Sequence, residues 1–261
     1  MKLFVVTHKV VNEIPEGRVL IGVGPNKPLE NVEIYDDVGE NIAQKNPNYC
    51  ELTALYWMWK NCTDDIVGLE HYQRFFCKDG ISKFKEAVPL SQEEIAAILS
   101  EHDMILPQKV KTRKSVYQYY RDAKVYYSFE KAHCIEDLDI CIDIINQHFP
   151  QYKESCDRVM KSHAVSMCNM FIGHKEFVDE YCEWLFSIFA HAEGRIDLEH
   201  KTQYQKRVFG FLSERLFNVW LDHKGLNYYY APVHNLHEVP FRNKIRGRGV
   251  LRRIKNLFKK K

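Results

Sequence analysis

Two short apolar runs open the chain, Lys2–Thr7 and residues 18–23, and each stops at polar or turn-forming residues, Thr7-His8-Lys9 and Gly24-Pro25-Asn26. Such runs predict strands that end in loops. Residues 25–45 are polar throughout and predict a long functional loop. The period then changes. Tyr49, Leu52, Leu55, Tyr56 and Trp59 recur at helical spacing, which predicts a helix over 49–61 with one buried face, followed by a strand over 65–69. Ser91-Gln92-Glu93-Glu94 has the capping-box pattern and predicts a short helix to Ser100, before a strand over 103–106.

Beyond Pro107 the pattern predicts a tyrosine-rich loop (Tyr117, Tyr119, Tyr120), a long helix over about 128–147 and a strand over 167–172. Helices follow over 175–190 and about 203–223. Strands alternating with helices predict an α/β fold, a mixed sheet flanked by helices, with the helix-rich second half covering it. There are no internal repeats.

At 261 residues, with 45% hydrophobic and 28% charged residues, the chain is expected to fold as one α/β domain with decorations. Its formal charge of +2 hides an asymmetry: residues 241–261 hold ten Lys/Arg and no acid, leaving 27 basic against 35 acidic residues, or −8, in 1–240. This divides the chain into a domain over 1–240 and a basic tail over 241–261. In the tail Val250, Leu251, Ile254, Leu257 and Phe258 form an apolar stripe, and Arg252, Arg253, Lys255 and Lys259 fall on the remaining arc. That is the pattern of a helix lying in a membrane interface, with Arg252, Arg253, Leu257 and Phe258 as the expected contacts with an anionic inner leaflet. A solubilising terminus, or a helix docked on its own acidic body, has the same composition. Nucleic acid is not expected as a partner, because the body is acidic and the stripe has no use on a phosphate backbone. The eight cysteines contain no CxxC pair and read as reduced core residues. With no leader ahead of the first strand and no apolar run near the ~20 residues that cross a bilayer, a cytoplasmic, membrane-peripheral location is the expectation.

Several standard cradles are missing. There is no P-loop, Gly22-Val23-Gly24 lacks the third glycine of a dinucleotide fingerprint, no GxSxG elbow occurs, and His234 and His237 have no further metal ligand close in sequence. Chemistry concentrates instead in residues 46–76, where a helix carrying Tyr49, Glu51, Tyr56, Trp57, Trp59 and Lys60 leads to a strand ending in Glu70-His71-Tyr72-Gln73-Arg74.

Five blocks carry a resemblance: Thr7-His8-Lys9; Asn46 with Tyr49-Cys50-Glu51-Leu52-Thr53, Tyr56-Trp57 and Trp59-Lys60-Asn61; Gly68-Leu69 with His71-Tyr72 and Arg74; Asn169-Met170-Phe171-Ile172; and Gly210 with Glu214-Arg215. In order and spacing they resemble bacterial capsular and exopolysaccharide biosynthesis glycosyltransferases first catalogued as a domain of unknown function, over residues 1 to about 235. The resemblance implies a GT-A-like nucleotide-sugar transferase fold. It also implies transfer of a hexosyl unit, galactofuranose in some members, from a UDP-sugar to a lipid-linked oligosaccharide in capsule, exopolysaccharide or O-antigen synthesis. The chain departs from the family's HYRR at Gln73. A non-catalytic sugar-nucleotide-binding scaffold is the alternative.

Roles follow from residue chemistry. Thr7, His8 and Lys9 lie past a strand's carboxyl end, where open α/β sheets bind ligands, and are expected to face the nucleotide. Asp36 and Asp37 are candidates for uracil, ribose or a divalent metal (Mg or Mn), or else cap a turn. GT-A transferases usually place a metal-binding Asp-x-Asp after a strand. Here Glu70, His71 and Arg74 occupy that place, and fixed cations would do the metal's electrostatic work on a leaving diphosphate. Glu51, Tyr72 and Tyr117 are candidate sugar contacts, and Glu51 alternatively favours the helix dipole. Asn169 is expected mid-strand, facing donor or an internal partner. For an inverting reaction the candidate proton acceptors are Glu214, Asp37 and His71.

Overall fold

The computed structural model describes residues 1–78, 88–125 and 130–235. The strands are β1 (Lys2–Thr7), β2 (Arg18–Gly22), β3 (Ile34–Tyr35), β4 (Ile66–His71), β5 (Arg74–Phe76), β6 (Met104–Pro107), β7 (Val110–Lys111), β8 (Ala164–Val165), β9 (Phe171–His174), β10 (Tyr228–Ala231) and β11 (Val233–Asn235). The helices are α1 (Asn46–Tyr49), α2 (Leu52–Asn61), α3 (Gln92–Leu99), α4 (Val116–Asp122), α5 (Ile135–His148), α6 (Lys153–Lys161), α7 (Lys175–Ala192) and α8 (Val208–Lys224).

The main sheet runs β10-β6-β9-β4-β1-β2-β3, with β5 and β11 branching from β4. β1 pairs in parallel with β2 and β4, whereas β9 is antiparallel to both β4 and β6. Strand β1 is buried along almost its whole length because both faces of the sheet are covered. Its side chains alternate between layers. Phe4 and Val6 enter the larger core with helices α2, α5, α6, α7 and α8, while Leu3 joins Phe76, Ile95 and Ile105 on the opposite face.

Register then decides where the polar residues of β4 go. Val5 pairs with Glu70 and Val6 with His71, so Glu70 shares the face of Val5 and His71 that of Val6. The capping box at Ser91 forms as expected, with both reciprocal bonds present. Other elements differ from their prediction. The helix over 49–61 breaks into α1 and α2 at Cys50 and Glu51, the tyrosine-rich loop is largely the capped helix α4, and the strand over 167–172 starts only at Phe171.

The aromatic wealth of α2 is mostly packing. Trp59 and Tyr56 meet Phe186 of α7, and Trp57 donates its Nε1–H to the Val38 carbonyl at 2.6 Å. Lys60 lies over the Trp59 ring at 3.5 Å and pairs with Glu40 at 3.7 Å. The amphipathic tail, with Arg252, Arg253, Leu257 and Phe258, and His237 lie outside the described residues. Among those described, no helix is long and apolar enough to cross a membrane.

Candidate functional site

At the carboxyl edge of the parallel strands, where β1 and β4 end, lies a cavity of about 590 Å³. Its walls come from five places: Val6, Thr7 and His8 at the end of β1, Val23 after β2, His71 to Arg74 from the end of β4 to the start of β5, Asn46, Pro47, Cys50 and Glu51 around the α1–α2 break, and Gln203, Tyr204 and Arg207 ahead of α8. Ligands of open α/β sheets bind at this edge, because loops diverge there and leave a crevice.

The break between α1 and α2 aims Glu51. Cys50 adopts φ 54 and ψ −128, a strained conformation for a non-glycine residue, and strain of this kind gathers at functional sites. Asn46 braces the kink by donating to the Cys50 carbonyl at 2.9 Å and to Thr53 Oγ1 at 3.2 Å. On the other side α8 comes close at Gly210, where even a methyl group would touch Cys50 at 3.4 Å. Glu51 is thereby presented to Asn169, whose Nδ2 donates to Glu51 Oε1 at 2.6 Å and to the Gly210 carbonyl at 3.1 Å. Glu51 Oε2 has no hydrogen-bond partner among the described residues, and Glu51 lines the cavity.

Asn169 is not in a strand. It follows Cys168 in a left-handed pair of residues, φ 83 and 37, that turns the chain into β9. Glu214 holds that turn: its Oε1 accepts the Cys168 N–H at 3.2 Å, and its Oε2 accepts from Arg215 Nη1 at 2.6 Å. Glu214 therefore braces the loop behind Glu51 and is outside the cavity wall.

Two arginines supply positive charge to the cavity. Neither Arg74 nor Arg207 has a carboxylate within ion-pair distance among the described residues. Arg207 donates from Nε to Cys50 Sγ at 3.3 Å and lies over the rings of Tyr204 and Phe211. The nearby histidines are neutral at physiological pH. Burial, then the charge of Arg74, lowers the His71 pKa to about 4, and burial with Lys9 and Arg207 lowers that of His8. The His71 ring lies against the backbone of Cys168 and Asn169, and its Nε2 is sealed from solvent. His8 packs edge-on against Tyr72 at 5.5 Å. The remaining loop residues shape the wall: Thr7 Oγ1 accepts the Lys9 N–H at 3.1 Å and donates to its carbonyl at 2.7 Å, and the Lys9 side chain stays outside the cavity lining.

Other expected site residues stand elsewhere. Glu70 corrects the sequence reading: it is fully buried on the opposite face, 2.9 Å from Arg18 Nε, and accepts the Phe76 N–H at 2.8 Å. Tyr117 donates to Asp139 at 2.9 Å, away from the cavity. Asp36 and Asp37 share Lys27, at 2.7 and 3.0 Å, beyond β3 and outside the cavity wall; Asp37 is 49% exposed, while Asp36 is buried with Oδ2 unpartnered among the described residues. The Tyr35 ring, packed where a side chain on Gly22 would stand, sets this corner. Among the described residues no three His, Cys, Asp or Glu side chains converge as metal ligands.

Arg207 has no counterpart among the sequence candidates. A signal was available, since Lys206 and Arg207 stand at the start of a helix, where cations oppose the helix dipole and usually need another reason to be.

The family model described as a domain of unknown function, DUF4422, matches residues 2–225. Among solved structures, the apo WbbM bifunctional glycosyltransferase is similar, with a TM-score of 0.79 and 27% identity over 91% of this chain and 45% of that one. The chain thus spans under half the length of that protein. No curated protein matches it. The strand order and this likeness together give a GT-A-like fold.

Proposed function

We propose that this chain, which belongs to the DUF4422 family, is a glycosyltransferase that seats a nucleotide-diphosphate sugar at the carboxyl edge of its sheet. The observation that carries the reading is the pair of arginines, Arg74 and Arg207, without carboxylate partners among the described residues, in a cavity on a sheet of this order. Two guanidinium groups lining one cavity complement a diphosphate in charge, and they would stabilise it most as it leaves, when its charge develops. Gln73 sits between His71 and Arg74, and Arg207 supplies the second cation from another element.

Transfer forms a bond from the acceptor oxygen to the anomeric carbon, breaks the bond from that carbon to the diphosphate oxygen, and releases the acceptor's hydroxyl proton. Glu51 is the proton acceptor in this reading, because it lines the cavity, its Oε2 has no hydrogen-bond partner among the described residues, and Asn169 holds its other oxygen. A carboxylate taking that proton on the face opposite the leaving group gives inversion. Glu214 acts through Asn169 and Cys168 as a positioning residue.

The donor is a UDP-hexose, galactofuranose in the direction of the sequence resemblance. The acceptor is a lipid-linked saccharide of capsule, exopolysaccharide or O-antigen synthesis, met at the inner leaflet with the basic tail as anchor. Calorimetric titration with UDP, followed by transfer from UDP-sugars to a membrane acceptor fraction, tests this. Saturable UDP binding with product formation supports it. UDP binding without turnover from any donor favours the non-catalytic scaffold, and no UDP binding refutes both.

A further inference from the structure

We propose that the ribbon over residues 108–114, at the same edge of the sheet as the cavity, is a docking surface for an anionic lipid bilayer. Between Gln108 and Val125 the chain carries six Lys/Arg and one acid, Asp122, within a region, 1–240, whose formal charge is −8. Asp122 is taken by Lys114 and Arg121. Lys109, Lys111 and Arg113 are exposed, and none of the three has a carboxylate partner among the described residues.

The cations stand on ordered backbone. β7 pairs with β8, Lys111 opposite Ala164, and the Thr112 N–H donates to the His163 carbonyl at 2.8 Å. The ribbon follows β6, which runs in the same direction as β4 because both are antiparallel to β9. Its carboxyl end therefore opens on the same side as that of β4, two strands and roughly 10 Å away. A bilayer on this surface would lie beside the cavity mouth, within reach of a lipid-borne acceptor.

Apolar exposure selects lipid over a soluble polyanion. Val110 is 52% exposed on one face of β7; Lys111 leaves from the opposite face, and its long stem can bring its charge round the narrow ribbon to the headgroups, while Lys109 lies over the Tyr230 ring at 5.3 Å. A phosphate polymer has no use for that valine, whereas a bilayer interface does.

The test uses the full chain with vesicles of phosphatidylcholine alone or mixed with phosphatidylglycerol, read by hydrogen exchange and by sedimentation. Mixed vesicles are expected to slow exchange over 108–114, and phosphatidylcholine alone to leave it unchanged. Lys111→Gln/Arg113→Gln is expected to weaken partitioning roughly 25-fold, about fivefold for each cation, without moving the melting temperature, since both side chains are exposed. Unchanged exchange over 108–114 while the protein sediments with mixed vesicles would assign binding to another segment and overturn the proposal. So would wild-type partitioning of the double variant, or protection by polyphosphate but not by vesicles.

Discussion

Arg18→Met tests whether Glu70 is part of the architecture or of the site. Both side chains are sealed, 1% and 0% exposed, and the substitution removes the 2.9 Å bond to Glu70 together with the Nη1 bond to the Leu90 carbonyl at 2.7 Å. Truncating one member of a buried pair leaves an uncompensated charge and costs about 3–5 kcal/mol. For a chain of this size each kcal/mol moves the melting temperature by about 2–4 °C, so a fall of roughly 6–20 °C is expected. Burial already raises the Glu70 pKa against the pull of Arg18. A carboxyl whose folded value lies above its unfolded one favours folding fully below the unfolded value and loses that contribution as pH rises through the folded value. The Arg18→Met penalty is therefore smallest in acid and grows toward neutrality. Glu70→Gln in the same chain keeps an acceptor for the Phe76 N–H, and the double variant should cost under about 2 kcal/mol. Urea titrations at several pH values measure these differences, and UDP titration of the double variant reads the site. A single-variant cost under about 1 kcal/mol, or a double variant no better than the single, would refute the reasoning on stability. A folded double variant that lost UDP binding would return Glu70 to the donor.

Arg207→Ala and Arg74→Ala should each weaken UDP binding about tenfold or more, the range of a lost charge-assisted bond, while Lys9→Ala, outside the cavity wall, should not; equal effects in calorimetry would undo the assignment. Glu51→Gln should abolish transfer and leave UDP binding within about twofold, whereas Glu214→Gln should lower both, because it releases the Cys168 turn that holds Asn169. The reverse pattern in steady-state kinetics would make Glu214 the proton acceptor. His71, with its pKa lowered to about 4, favours folding above its unfolded value and loses that contribution as pH falls through about 4. His71→Gln should flatten stability between roughly pH 6.5 and 4 by at most about 3 kcal/mol. Unaltered pH dependence in denaturant titrations of this variant would contradict the burial argument.

Local pattern was enough for much of the fold. β1, the capped helix α3 and the long helix α7 lie close to their predicted bounds, and α8 ends near its own but begins only at Val208, because period and capping are properties of neighbouring residues. The cavity's stock of side chains was legible too, since Glu51, His71, Tyr72 and Arg74 stand within one dense stretch. What the sequence left open was direction. Glu70 and His71 are adjacent in the chain, yet the parallel register with β1 sends one to Arg18 and the other to the cavity. Strand side chains alternate, so a shift of one residue in register would exchange their roles. The break at Cys50 packs against α8 at Gly210, and the turn at Asn169 is held by Glu51 and Glu214, which lie 118 and 45 residues away in sequence. Such conformations are unfavourable locally and persist only where distant partners hold them. The sequence by itself determined the elements and the chemistry available to the cavity. Only the tertiary structure decided which carboxylate faces it and that Arg207 completes its charge, because contacts between residues far apart in the chain choose among orientations that local pattern leaves equal.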